Sequence, residues 1–120
     1  MSTATPSRRW KGNYLGTEVD EKWWKRYLKD KLFARGNGEF WYDNTTVFFH
    51  RYLTRKPIRI PFTKVKEIKL GTSHAGRWLF GRQLIKLVWE KDGVILSSGF
   101  IVSRNQAETV KVLADLKRMV

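Results

Sequence analysis

The chain contains no cysteine. That excludes disulfides, a thiol nucleophile and every thiolate metal site, and it leaves the redox compartment undecided. Histidine is almost as scarce, at two residues, and His74 has no second histidine or carboxylate partner near it in sequence, so neither metal ligation nor a proton relay is indicated. Acids are sparse: Asp20, Glu39, Asp43, Glu67, Glu90 and Asp92 include no pair at a spacing that suggests general acid and base roles. An enzyme is therefore not expected, and neither is a cofactor or a metal. No apolar stretch approaches the ~18 residues of a membrane span. The start, MSTATPSRRW, lacks the apolar run of a signal peptide, and Met1-Ser2 lacks the glycine that myristoylation requires. The expected setting is cytoplasmic, at most peripheral to a membrane.

What is present is aromatic and basic. The 120 residues suit one domain, and 42% hydrophobic content with six Trp, four Tyr and seven Phe is ample for a core. Lys and Arg number 24 against 11 Asp and Glu, a net charge of +13. Such a balance favours an anionic partner: nucleic acid, an anionic lipid surface or an acidic protein. It also serves as a plain solubility device.

Residues 1–16 are rich in Ser, Thr, Pro, Gly and basic residues and read as a loose lead-in. A helix is expected from about Thr17 or Asp20 to Leu32. Thr17-Glu18-Val19-Asp20 fits a capping box, and Trp23, Trp24, Tyr27, Leu28 and Leu32 fall on one face. Set among lysines, that stripe reads either as a core face laid on the sheet or as an interfacial membrane anchor. ARGNG (34–38) stops it. From Glu39 to Ser103 the period changes to two. FWYD (40–43) and TVFFHRYL (46–53) flank a tight turn, the proline of IRIPF (58–62) marks an edge strand or a bulge, and VKEIKLG (65–71) follows. LIKLVWEK (84–91) and VILSSGFIV (94–102) are joined by Asp92-Gly93, a strong type I′ hairpin signal. Asn105 to Glu108 is a second capping box, opening a helix to about Met119 with Ala107, Val110, Leu113, Leu116 and Val120 as its buried stripe. Ile58, Ile60, Phe62, Ile68, Ile85, Leu87, Trp89, Leu113 and Leu116 should share one core.

Two basic constellations compete for a binding role. GTSHAGRWLFGR (71–82) is not a P-loop, since Gly-Lys-Ser/Thr is missing and a strand follows. It reads either as a long interstrand loop anchored by Trp78 or as a mouth presenting Arg77, Arg82 and His74 to an anion. RYLTRKPIR (51–59) places Arg51, Arg55, Lys56 and Arg59 within nine residues, with Lys64, Lys66 and Lys69 continuing the run. Lysines on edge strands often only oppose sheet-to-sheet pairing. If Arg55, Lys56, Arg77 and Arg82 lie at one barrel end, their joint field suits phosphate or an acidic peptide. SSGFIVSR (97–104) lacks the flanking residues of an RNA-binding RRM motif, and the helix that RRM topology needs between its first strands is absent.

Six or seven consecutive antiparallel strands and a closing helix imply a mainly β (α+β) fold: a bent sheet or partly open barrel plugged by that helix. GEFWYDNTTVFFHRY (38–52), IPFTKVKEI (60–68), the 84–102 hairpin and the closing helix resemble the pleckstrin-homology-like (PH-like) superfold, and within it the GRAM and bacterial PH-like families. The resemblance covers roughly 38–120. It implies a division into 1–36, a flexible lead-in and N-terminal aromatic helix, and 37–120, the PH-like domain. Such domains bind phosphoinositides, peptides or other proteins, so fold alone does not settle function. Phosphoinositide-binding members place Lys and Arg around the turn between their first two strands. Here that turn reads as Asp43-Asn44-Thr45-Thr46, which carries no such site. The expected role is a non-catalytic module associating through a basic face with phospholipid or an acidic protein. The alternative is a nucleic-acid-binding protein that uses basic residues and aromatics such as Trp41, Trp78 and Trp89.

Overall fold

Asp92 and Gly93 have φ of 51° and 77°, the left-handed pair that a type I′ turn requires. Around them, in the computed structural model, strands β9 (Leu84–Lys91) and β10 (Val94–Ile101) pair antiparallel from Lys91↔Val94 to Ile85↔Phe100. The structure describes residues 9–26, 36–74, 77–78 and 83–120. The remaining described strands are β1 (Trp10–Val19), β2 (Lys22–Arg26), β3 (Gly36–Tyr42), β4 (Thr46–Arg51), β5 (Ile58–Pro61), β6 (Val65–Gly71), β7 (Ser73–His74) and β8 (Arg77–Trp78). A 3-10 turn at Phe62–Lys64 leads into β6, and helix α1 (Gln106–Arg118) closes the fold.

The main sheet is antiparallel in the order β5-β4-β3-β1-β10-β9-β6, with β2 paired to the end of β1. β5, with Pro61 at its end, is an edge, the first of the two places expected for its proline. The alternation expected from the sequence places one side of each strand inward. All nine residues expected in the core belong to a single cluster, Leu113 at its margin. Phe100 is at its centre, with ring centroids 5.3 Å from Tyr14, 5.4 Å from Phe40 and 5.7 Å from Phe49. A buried polar chain crosses this core: Tyr14 Oη contacts Thr17 Oγ1, Thr17 shares a 2.6 Å hydrogen bond with Ser98, and Trp89 Nε1 donates to Ser98 Oγ at 3.0 Å. Satisfied in this way, the indole and hydroxyls avoid the penalty of bare burial. A smaller cluster, Leu15, Leu84 and Ile101, lies on the opposite face.

Three expectations are corrected. The N-terminal helix does not form over its described part: residues 17–19 end β1, and residues 22–26 form β2. Thr17, expected to cap that helix, is wholly buried and bonded to Ser98. Thr17, Val19, Trp23 and Trp24 are β-branched or aromatic, so strand pairing suits them once β10 offers a partner. Asp20 and Glu21, at φ of 53° and 57°, make the reversal. The rest of the expected helix, 27–32, lies outside the described residues. The loose lead-in is likewise corrected, because Trp10 to Gly16 belong to the central strand β1. Finally, the face of α1 is rotated: Thr109, Val112 and Leu116 are buried, whereas Ala107, Val110 and Val120 are exposed. Tyr42 Oη donating to Asp115 at 2.8 Å fixes that orientation. Asn105 does cap the helix, accepting from Glu108 N–H at 3.1 Å.

The β3–β4 turn hangs on one carboxylate. Asp43 Oδ1 accepts from Thr45 N–H at 2.8 Å, Thr45 Oγ1 at 3.0 Å and Thr46 N–H at 2.9 Å. Slight burial acts to raise the Asp43 pKa, but these hydrogen bonds together outweigh it and hold the carboxyl below its ordinary 3.8. The folded-state pKa is the lower one, so the stabilisation is complete above about 3.8 and is lost as pH falls through the folded value. Asp43→Ala should cost about 1 kcal/mol at neutral pH in urea unfolding. That difference from the parent protein should shrink in acid; a difference independent of pH would show that the charge contributes nothing.

Candidate functional site: a basic pocket at the loop end

Strand register sorts the connections into two ends. Val19↔Leu96 and Lys91↔Val94 place the Asp20-Glu21 turn and the Asp92-Gly93 turn together, and a shared pocket brings residues 55–57 of the 52–57 loop beside the latter. Asp20 N–H donates to Ile95 O at 2.9 Å, tying the first two. The Asp43 turn lies at the other end, where Tyr42 meets α1.

A pocket of about 780 Å³ opens at the loop end. Ile58, Pro61 and Trp89 give it apolar surface, while Arg55, Lys56, Arg59, Lys64 and Lys91 supply cations. Glu90 and Asp92 also line it, but each has a cation of its own: Lys66 at 3.4 Å from Glu90, and Lys91 at 3.8 Å from Asp92. Among the described residues, no carboxylate pairs with Arg55, Lys56, Arg59 or Lys64. Four uncompensated cations over an apolar floor create a positive potential in a concavity, where field lines are focused. No group of His, Asp and Glu among the described residues could hold a metal ion.

The residues singled out from the sequence divide by location. Arg55, Lys56 and Arg59 share the pocket. Arg51 ends β4, where a Cβ on Gly36 would stand 3.3 Å from its Cδ, so its stem lies along β3. His74 and Arg77 are register partners in the β7–β8 hairpin. That hairpin follows Gly71, which pairs with Leu84 at the start of β9, whereas the pocket residues Glu90 to Asp92 are at its finish. Arg82 lies outside the described residues. The run Lys64, Lys66, Lys69 also splits, for Lys66 pairs with Glu90 and Lys69 contacts Glu21 and Glu67. The hydrogen bond to Glu21 raises the Lys69 pKa; desolvation opposes it, and the charges of Glu21 and Glu67 add to the rise.

On the outer sheet face Arg9, Trp41, Phe48 and Arg59 stack in sequence. The Arg9 guanidinium lies 4.0 Å from the Trp41 ring, Trp41 and Phe48 stack at 5.1 Å, and Arg59 lies 5.9 Å from Phe48. Both faces of Trp41 are thus covered, and Trp89 is buried. Residues missed by sequence reasoning are Lys91, hidden in a strand whose alternation drew the attention, and the exposed Leu53.

A bent seven-strand antiparallel sheet with a helix at one end and an open, cation-lined pocket among loops at the other defines a PH-like binding module. A family model described as bacterial PH domain-like matches residues 2–117, and the chain belongs to that family. No curated protein and no solved structure matched it. Membership also corrects a point of anatomy. With β1 recognised, the connection between the first two long strands is 20–35, not the Asp43 turn. Its sequence carries Lys22, Lys25, Arg26, Lys29, Lys31 and Arg35, so the acidic turn gives no argument against an anion-binding loop end.

Proposed function

We propose that the protein is a non-catalytic binding module that takes an anionic group, phosphate or carboxylate, into the pocket lined by Arg55, Lys56, Arg59 and Lys64. The observation carrying this reading is that four cations without carboxylate partners among the described residues line one concavity. Arginine offers planar bidentate donors there, and lysine a mobile point charge. The net charge of +13 adds long-range attraction for the same class of partner. A nucleic-acid reading has less support, because the ring faces of Trp41 are occupied by Arg9 and Phe48 and base stacking needs a free face.

The pocket is tested by Arg55→Ala/Lys56→Ala. Both residues are exposed, so the melting temperature should not move. Binding to inositol hexakisphosphate and to phosphatidylserine-containing vesicles should fall by roughly 30-fold at low salt, at about 1 kcal/mol per cation. The remaining affinity should depend less on salt. Unchanged binding of both probes would remove the pocket from the function.

A further inference from the structure

At the tip of the 52–57 loop the chain displays a leucine that contributes nothing to the fold. Leu53 has 106% of its reference exposure, so it touches no core. Its φ is 66°, a left-handed conformation that suits glycine or asparagine and strains a leucine. It occupies the third position of the turn closed by Thr54 N–H to Arg51 O at 3.3 Å, the place where turns with positive φ take glycine.

The loop is pinned on both sides of this residue. Tyr52 N–H donates to Asn37 O at 3.0 Å, Thr54 Oγ1 donates to Arg51 O at 2.6 Å, and His50 Nε2 lies 2.7 Å from Thr54 O. The leucine is therefore held out by a fixed scaffold, so its display is preorganised. Backbone strain maintained by surrounding structure is a mark of function. Beside it Tyr52 is 51% exposed.

Two exposed cations, Arg55 and Lys56, follow Leu53 in the same loop. An occupant must accept a leucine in an apolar layer, place a phenol at its boundary, and present anions beside Arg55 and Lys56. A soluble polyanion leaves Leu53 in water. An anionic bilayer meets all three demands, since phosphates lie above hydrocarbon and Trp and Tyr favour the interface between them.

We propose that the loop end docks on an anionic phospholipid bilayer with Leu53 inserted below the headgroups. This rests on the anionic-pocket reading and names the source of the anion. Leu53→Asn is the decisive variant, because asparagine tolerates the positive φ. It should keep or raise the melting temperature and bind inositol hexakisphosphate as the parent does, while vesicles of phosphatidylcholine and phosphatidylserine should bind about tenfold more weakly. Since the chain has no cysteine, Leu53→Cys gives a single site for an environment-sensitive fluorophore. Its emission should shift to the blue on these vesicles and stay water-like with inositol hexakisphosphate or a polyglutamate peptide. Equal vesicle affinity of Leu53→Asn and parent, or a water-like label on bound protein, overturns insertion while leaving the pocket standing if Arg55→Ala/Lys56→Ala still binds weakly. A blue shift with polyglutamate makes the partner an acidic peptide and overturns the bilayer.

Discussion

A chain shortened by residues 1–20 should fail to fold, showing no cooperative thermal transition and only weak β-sheet circular dichroism. The expectation follows from where β1 lies: between β3 and β10, paired with both. Its removal divides the sheet into β5-β4-β3 and β10-β9-β6, each with a fresh edge. It also deletes Tyr14 from beside Phe100 and Thr17 from beside Ser98. Two ladders and a share of the core exceed the ~5–15 kcal/mol by which domains are stable. Cooperative melting of the truncated chain near the parent temperature would show that β1 is dispensable.

The second large effect concerns the centre of the core. Phe100 is fully buried and meets three aromatic rings. Phe100→Ala should cost about 3–5 kcal/mol in urea unfolding, the sum of lost transfer energy and a cavity that rings anchored on three strands cannot collapse to fill. The slope of the unfolding curve should stay near the parent's, since the surface exposed on unfolding barely changes. A loss below ~1 kcal/mol would mean that the aromatic cluster repacks freely.

How far the sequence revealed this molecule depended on how local each signal was. The Asp92-Gly93 turn, the Asn105 cap and the alternation in LIKLVWEK are short-range, and each led to the right element. β1 was missed because its signal is not local. Glycine, asparagine and basic residues interrupt it, a register shift between Tyr14 and Thr17 breaks its period, and its partner Ser98 is 81 residues away. That one omission moved everything upstream: it made a helix of the β1–β2 hairpin and renamed the Asp43 turn as the first interstrand connection. For α1 the error was one of phase, because Val110 and Val112 both offered an apolar face; packing of Val112 and Leu116 in the core and the Tyr42–Asp115 bond select the second. The pocket was half legible. The cluster Arg55, Lys56, Arg59 stood out by density in sequence, but Lys91 joins it only through the bend of the sheet. No sequence pattern marked Leu53, whose significance lies in a backbone angle.

The pairing of β1 with β10 has a consequence for synthesis. The strand made first cannot complete its hydrogen bonds until Val94–Ile101 has been made. At ~5–20 residues per second, the 81 residues separating Thr17 from Ser98 take about 4–16 s to add. Throughout that interval Tyr14 and Leu15 have no final resting place, and a neighbouring nascent chain offers the same strand edges as the chain's own C-terminal hairpin. The closing helix, made last, can dock only on a sheet already complete. Yield in the cell should thus respond to elongation rate and chaperone supply more steeply than the stability of the finished sheet would suggest.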